Sequence, residues 1–75
     1  MARPIYDNDE KFFKKFGAKI KALRKDQGRT QEDLMSCFPL RFYQRVEAGK
    51  SIHMKTMLKL CNAFNITLEK LFKDF

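Results

Sequence analysis

Large apolar side chains recur every three or four residues through most of the chain, a spacing typical of amphipathic α-helices. The first such series is Phe12, Phe13, Phe16, Ile20 and Leu23. It predicts a helix that ends at Gly28, because glycine readily takes the left-handed conformation that closes a helix. Residues 1–7 precede this series and contain Pro4, which opposes helical geometry, so we expect them to form a short arm.

Two shorter helices are predicted in the middle of the chain. Thr30 is a candidate N-cap with Asp33 as its partner three residues on, and this pair starts the second helix. Its inward side chains are expected to be Leu34, Met35 and Phe38. Pro39 breaks this helix because it excludes helical geometry at the preceding residue, yet it suits the first turn of a new one. The third helix is therefore predicted over residues 39–48, with Gly49 as its stop.

The last part of the chain predicts two more helices. The inward face of the fourth is expected to be Met54, Met57, Leu58, Cys61 and Phe64. Asn65 follows where a left-handed residue would close that helix, and Thr67 can cap a fifth helix. The fifth carries Leu68, Leu71, Phe72 and Phe75. With no strand pattern and no repeat, the sequence predicts an all-α single domain of five helices over residues 1–75, with a C-terminal helix at 65–75.

Composition and charge narrow the functional classes. The chain has 75 residues and a net charge of +7, from 16 Lys and Arg against 9 Asp and Glu. Such an excess favours phosphate or acidic lipid as a partner. Membrane-surface binding by the first helix is the weaker alternative, because its phenylalanine stripe is better explained as core, and we expect no membrane partner. Most lysines of that helix are expected to form a solvated face.

Several classes of chemistry are disfavoured. Cys37 and Cys61 lie within apolar helical patterns, so we expect free packing thiols in a reducing compartment. No apolar run approaches the ~20 residues of a membrane span and no signal-peptide order is present, so a cytoplasmic protein is expected. His53 is the sole histidine and is expected to be ordinary surface. We therefore expect no enzyme activity, no metal site and no cofactor.

Five short segments together resemble the Xre/Cro type of helix-turn-helix, the phage-repressor-like DNA-binding family. In chain order they are IKALR at 20–24, TQEDL at 30–34, VEAGK at 46–50, TMLKL at 56–60 and ITLEKLF at 66–72. The resemblance covers residues 16–72. It implies a compact five-helix bundle in which the second helix braces against the DNA backbone and the third enters the major groove.

The third helix supplies the expected base contacts. Arg41 and Arg45 lie four residues apart on one side of it, and an arginine fork can grip O6 and N7 of guanine together. Gln44 could read adenine or hold phosphate, and Leu40 completes the expected base-contacting set. The competing interpretation is that both arginines are solvated surface. Val46 and one of the adjacent pair Phe42 and Tyr43 are expected to turn inward, while the other of the pair could touch a thymine methyl group.

Other matching positions have backbone or structural roles in the family. By resemblance, Gln31 holds a phosphate at the start of the second helix, although it could also be a polar residue beside the cap. Thr30, Lys50 and Ser51 are expected to be further phosphate contacts. The resemblance also pairs Arg24 with Glu47 in an internal salt bridge between the first and third helices.

The chain departs from the family pattern between the second and third helices. The connection CFPL at 37–40 is two residues shorter than the family's glycine-containing turn, and Met35 stands where the family prefers a small residue. We expect this shorter connection to trim the second helix or to tilt the third.

The function expected from these features is sequence-specific regulation of transcription by a homodimer on a two-fold-symmetric double-stranded DNA site. Candidate dimer contacts are Ile66, Leu68, Leu71, Phe72 and Phe75, with plain packing of the last helix as the competing interpretation. The alternative function is a protein-interaction module, such as an antitoxin that binds a partner protein. Its mark would be apolar exposure at Phe12, Phe13 and Phe75.

Overall fold

A computed structural model of the protein describes residues 9–73, and every regular element in that range is helical. The elements in chain order are α1 (Asp9–Asp26), a 3-10 turn (Glu32–Ser36), α2 (Leu40–Glu47), α3 (Met54–Phe64) and α4 (Leu68–Leu71). The predicted arm at residues 1–7 and the candidate dimer residue Phe75 lie outside the described residues.

The expected count of five α-helices is wrong: residues 9–73 contain four α-helices and one short 3-10 turn. The segment predicted as the second α-helix is this turn, where Leu34 N–H bonds to the Gln31 carbonyl at 3.1 Å and Cys37 N–H to the Leu34 carbonyl at 3.0 Å. Both bonds join residues three positions apart, which is the 3-10 pattern. Pro39 then excludes helical geometry at Phe38, so the element cannot lengthen toward α2.

Three residues in the left-handed region mark the ends of the longer elements. Gly28 after α1 has φ 67°, Gly49 after α2 has φ 90°, and Asn65 after α3 has φ 54°. Asn65 is the one residue other than glycine with positive φ among the described residues, and Asn tolerates this conformation better than most side chains. The predicted positions of these three helix ends are confirmed.

The core contains side chains from every helical element, and the sequence pattern misplaced three residues. The buried apolar side chains are Phe16, Ile20, Leu34, Phe38, Tyr43, Val46, Met57, Leu60, Cys61, Phe64 and Leu71. Met35, Met54 and Leu58 were expected inside but are exposed. In α3 the inward face runs through residues 57, 60, 61 and 64, so Leu60 occupies the position expected for Leu58. Met54 and Leu58 lie four residues apart on a neighbouring side of α3 that is exposed to solvent.

Gly17 allows α1 to lie directly against the C-terminal end of α2. A β-carbon added at Gly17 would stand 2.6 Å from the Val46 carbonyl oxygen and 2.8 Å from that of Glu47. Both distances are far shorter than normal van der Waals contact, so only a residue without a side chain fits. This close approach fixes how far α2 stands from α1, and with it the position of the polar flank of α2.

Candidate nucleic-acid interface

Helix α2 buries one flank and presents the other to solvent. Tyr43 and Val46, three residues apart, are almost fully buried, while Arg41, Gln44 and Arg45 are exposed on the remaining surface. Leu40 at the start of the helix is half-buried. The helix therefore presents two guanidinium groups and one carboxamide on a common side, which is the donor chemistry that reads guanine and adenine in a major groove.

A buried ion pair joins the C-terminal end of α2 to α1. Arg24 Nε donates to Glu47 Oε2 at 2.7 Å and Nη2 donates to Oε1 at 3.3 Å, a fork on a carboxylate. Arg24 also donates from Nη1 to the Arg29 carbonyl at 2.8 Å. Burial of Glu47 would raise its pKa, but the hydrogen bonds from Arg24 and Gln31 outweigh that effect and lower the pKa. The pair therefore stabilises the fold above the ordinary carboxyl pKa, and this contribution is lost as the pH falls below it.

Two glutamines extend this pair toward the exposed flank of α2. Gln31 Nε2 donates to Glu47 Oε1 at 3.0 Å, and Gln44 Nε2 donates to Gln31 Oε1 at 3.2 Å. The side chain of Gln31, expected to meet a phosphate, thus holds Gln44 and Glu47 in place. Sequence reasoning missed this link because residues 31 and 44 belong to different elements.

The predicted capping box around Thr30 is present just before the 3-10 turn. Thr30 N–H donates to Asp33 Oδ2 at 2.7 Å, and Asp33 N–H donates to Thr30 Oγ1 at 3.3 Å. The bond from the Thr30 backbone lowers the pKa of Asp33. Thr30 is exposed, so its side chain lies at the surface where a phosphate contact was expected.

The charged side chains along α2 and α3 are almost all positive. Residues 34–68 contain five Lys or Arg side chains and one acidic residue, Glu47, whose charge is already matched by Arg24. The five cations are Arg41, Arg45, Lys50, Lys55 and Lys59, and all are exposed. Lys50 and Ser51 occupy the loop after Gly49, on the same side as Arg45, with which they line a shallow hollow. Such a surface attracts phosphate.

The adjacent aromatic residues on α2 face opposite environments. Tyr43 is buried, and its hydroxyl has no hydrogen-bond partner among the described residues. Burial raises the pKa of Tyr43 far above its usual range, so it stays neutral. Phe42 is 39% exposed. The open alternative between the two is thereby resolved: Tyr43 is the core residue and Phe42 lies at the surface.

The candidate dimer residues are less exposed than expected. Leu71 is completely buried within the single chain, so it offers no exposed surface to a second copy in this fold. Phe72 is half-buried, with its ring centroid 6.2 Å from Phe12 and 5.7 Å from Phe16. Ile66 and Leu68 are half-buried against the core. Phe72 thus belongs to an aromatic cluster that fastens α4 to α1.

No group of three or more His, Cys, Asp or Glu side chains within residues 9–73 could hold a metal ion. No helix there has the length and apolar character to cross a bilayer.

Comparison with known proteins supports the arrangement of these elements. A family model described as helix-turn-helix matches residues 20–71, which run from the middle of α1 to the end of α4. No curated protein matches the chain. The matched range includes the 3-10 turn and α2, together with Arg24, Gln31, Arg41, Gln44, Arg45 and Glu47.

Proposed function

The chain belongs to the Xre/Cro-like helix-turn-helix family of DNA-binding regulators, and we propose that it regulates transcription by reading a specific double-stranded DNA sequence through α2. The observation that carries this proposal is the exposed flank of α2, where Arg41, Gln44 and Arg45 point away from the core. The 3-10 turn packs against α2 as the first element of the motif, in place of the α-helix expected there.

Base recognition is assigned to the exposed side chains of α2. Arg45 and Arg41 each offer a planar fork that can donate two hydrogen bonds to guanine O6 and N7. Gln44 can make the equivalent pair of bonds with adenine, and its bond to Gln31 reduces the side-chain freedom that DNA binding would remove. Leu40 is half-buried at the start of α2 and offers apolar contact to a neighbouring base edge.

Phosphate contacts are assigned to the two ends of the motif. Thr30 and Gln31 lie at the start of the 3-10 turn, and Lys50 and Ser51 lie in the loop after α2. Lys50 supplies a positive charge in the loop after α2. The hydroxyl groups of Thr30 and Ser51 and the amide of Gln31 fix the register of the protein on the DNA backbone. The proposed phosphate contacts thus precede and follow the base-reading helix in the chain.

Replacing Arg45 by alanine tests the assignment of base recognition. Selection from random duplexes first yields the consensus site, and affinities are then measured on that site and on a scrambled duplex. Arg45→Ala is expected to weaken binding to the consensus by ~1–3 kcal/mol and to leave scrambled DNA nearly unaffected, because a guanine-reading fork acts on one sequence only.

Lys50→Ala is the matched control for this experiment. It removes one exposed cation, as Arg45→Ala does, but it is expected to weaken binding to both duplexes equally and to reduce the dependence on salt. If Arg45→Ala behaved in the same way as Lys50→Ala, Arg45 would be a phosphate contact. If selection gave no consensus with the unaltered protein, sequence-specific recognition itself would be refuted.

A homodimer is the second part of the proposal. One helix-turn-helix module reads only a few base pairs, so residues 1–75 are proposed to act as a single domain that pairs across a two-fold-symmetric site. Ile66, just before α4, and Leu68, its first residue, are both half-buried and are the remaining candidate contacts among the described residues. Phe72 contributes by holding α4 against α1.

Sedimentation velocity at micromolar concentration tests the dimer with two duplexes. On a duplex with two consensus half-sites in opposite orientation, two copies are expected to bind cooperatively, while a duplex with one half-site binds one copy more weakly. Independent binding of two monomers, with no cooperativity at any half-site spacing, would remove the dimer from the proposal.

The alternative function, an antitoxin-like partner of another protein, is expected to show apolar exposure at Phe12, Phe13 and Phe75. Phe12 and Phe13, the two of these that the structure describes, are half-buried and pack partly against the core, so this mark is weak among the described residues.

A further inference from the structure

An apolar hollow of about 290 Å³ opens beside the N-terminal end of α2. It is lined by Phe38, Pro39, Phe42, Lys55, Thr56 and Lys59. The aromatic rings and the proline form its apolar wall, and the two lysines come from the exposed side of α3. The hollow lies where Phe38 and Pro39, in the connection before α2, meet the exposed side of α3.

Phe42 is held in a fixed position at the edge of this hollow. Its ring stacks on Phe38 with centroids 5.9 Å apart and planes tilted by 21°. Phe38 is itself 3% exposed, and Lys59 Nζ lies 5.3 Å above its ring centroid on α3. The exposed ring of Phe42 is therefore already ordered, so a partner that touches it loses little additional side-chain entropy.

Phe42 also adjoins the side chain assigned to guanine recognition. Phe42 and Arg45 are three residues apart on α2, and such pairs lie about 5–6 Å apart on a helix surface. The two residues line a second hollow together with Lys50 and Ser51. Because base pairs stack at about 3.4 Å, a group touched by Phe42 would lie one or two base pairs from the one read by Arg45.

The major groove offers one apolar group to such a side chain, the C5-methyl of thymine. Lys55 and Lys59 border the same hollow and match the negative charge of the adjoining DNA backbone. We propose that Phe42 and its hollow recognise the C5-methyl group of a thymine one or two base pairs from the guanine bound by Arg45. This inference rests on the proposed function. It adds one apolar contact, from Phe42 to thymine, to the polar contacts by which α2 is proposed to recognise a DNA sequence.

An acidic peptide with bulky apolar side chains would also match an apolar hollow bordered by lysines. DNA is favoured because Phe42 and Arg45 line one common hollow, so a duplex held by Arg45 lies close to the ring of Phe42. The peptide is therefore treated as a competing outcome of the experiment.

Replacing thymine by deoxyuridine in the selected site tests the inference, because the exchange removes the methyl group and leaves base pairing intact. Affinity is measured with each thymine exchanged in turn, for the unaltered protein and for Phe42→Ala. One exchange per half-site is expected to weaken binding about fourfold, the value for one methyl-sized group buried. Phe42→Ala is expected to bind the thymine duplex about fourfold more weakly and to be insensitive to that same exchange.

Two further variants complete the design. Phe42→Leu keeps an apolar side chain and is expected to retain part of the methyl sensitivity. Leu58→Ala removes an exposed apolar side chain that does not line the hollow, and is expected to keep both the affinity and the sensitivity. Thermal unfolding of each variant confirms that it is folded at the temperature of the binding assay.

Three results would overturn the inference. A consensus site with no deoxyuridine-sensitive position would remove it while leaving the proposed function intact. An equal deoxyuridine penalty in Phe42→Ala would assign the methyl contact to another residue. An unchanged deoxyuridine profile together with saturable binding of a 12-residue glutamate- and leucine-rich peptide, lost in Phe42→Ala, would assign the hollow to a protein partner.

Discussion

Replacing Arg24 by alanine is expected to lower the free energy of unfolding by ~3–5 kcal/mol, the usual cost of removing one partner of a buried ion pair. The side chains of Arg24 and Glu47 are only 9% and 4% exposed, so the carboxylate left behind cannot be hydrated in place. The Arg29 carbonyl also loses its donor. Urea denaturation followed by circular dichroism measures the change, with an unaltered slope showing that the same surface is exposed on unfolding.

The exposed pair of Lys14 with Glu10 provides the control. Its nitrogen and oxygen are 3.4 Å apart, but the side chains are 67% and 73% exposed. Lys14→Ala is therefore expected to change the free energy of unfolding by less than ~1 kcal/mol, because water screens such pairs. A loss of similar size for Arg24→Ala and Lys14→Ala would show that the Arg24–Glu47 pair is hydrated in solution and does not lock α2 to α1.

The ends of the helices could be predicted because each depends on one residue and its backbone conformation. Gly28, Gly49 and Asn65 take positive φ angles that most side chains avoid, so their positions follow from residue type alone. The second predicted helix depended on more than one residue. Its capping box at Thr30 formed as expected, but the residues after it make 3-10 bonds, and Pro39 prevents the element from lengthening toward α2. Local sequence signals therefore predicted where this element begins, but not that it is a 3-10 turn instead of an α-helix.

The inward face of α3 shows a different limit of sequence patterns. Met54, Leu58 and Leu60 are all large and apolar, so spacing alone fits more than one face. The face that becomes buried is the one that meets the other helices, and there Leu60 is fully buried while Leu58 is half exposed. Packing against the other helices decides that Leu60 and not Leu58 is buried. In the same way it decides that Tyr43 and not Phe42 is buried on α2.

The individual residues of the candidate interface could be named from the sequence, but the hydrogen bonds that join them could not. The resemblance assigned roles to Arg24, Gln31 and Glu47, and helical spacing placed Arg41 beside Arg45 on one side of the third helix. The hydrogen bonds that join Gln44 to Gln31 and Gln31 to Glu47 link residues 13 and 16 positions apart in the chain. Such bonds depend on how the 3-10 turn packs against α2, which local spacing does not contain.

Gly17→Ala is expected to destabilise the fold by ~3 kcal/mol, at the upper end of the range for overpacked sites. The added β-carbon would meet the carbonyl oxygens of Val46 and Glu47 at 2.6 and 2.8 Å and the Gly49 nitrogen at 3.0 Å. All three atoms belong to the backbone, so relief requires the end of α2 to move. Because that movement also displaces Arg45 and Lys50, affinity for the consensus duplex is expected to fall even under conditions where the variant is folded.

Whether Gly17→Ala lowers or raises the free energy of unfolding distinguishes a steric clash with α2 from the effect of helix propensity. Alanine favours a helix interior over glycine by roughly 0.5–1 kcal/mol, so Gly17→Ala would stabilise α1 if nothing lay against it. Ala18→Gly, the reverse exchange at the exposed neighbouring position, measures that propensity in the same helix and is expected to cost about that amount. If urea denaturation showed Gly17→Ala to be as stable as the unaltered protein or more so, α1 and α2 would stand further apart in solution, and the position of the base-reading flank would no longer be set by their contact.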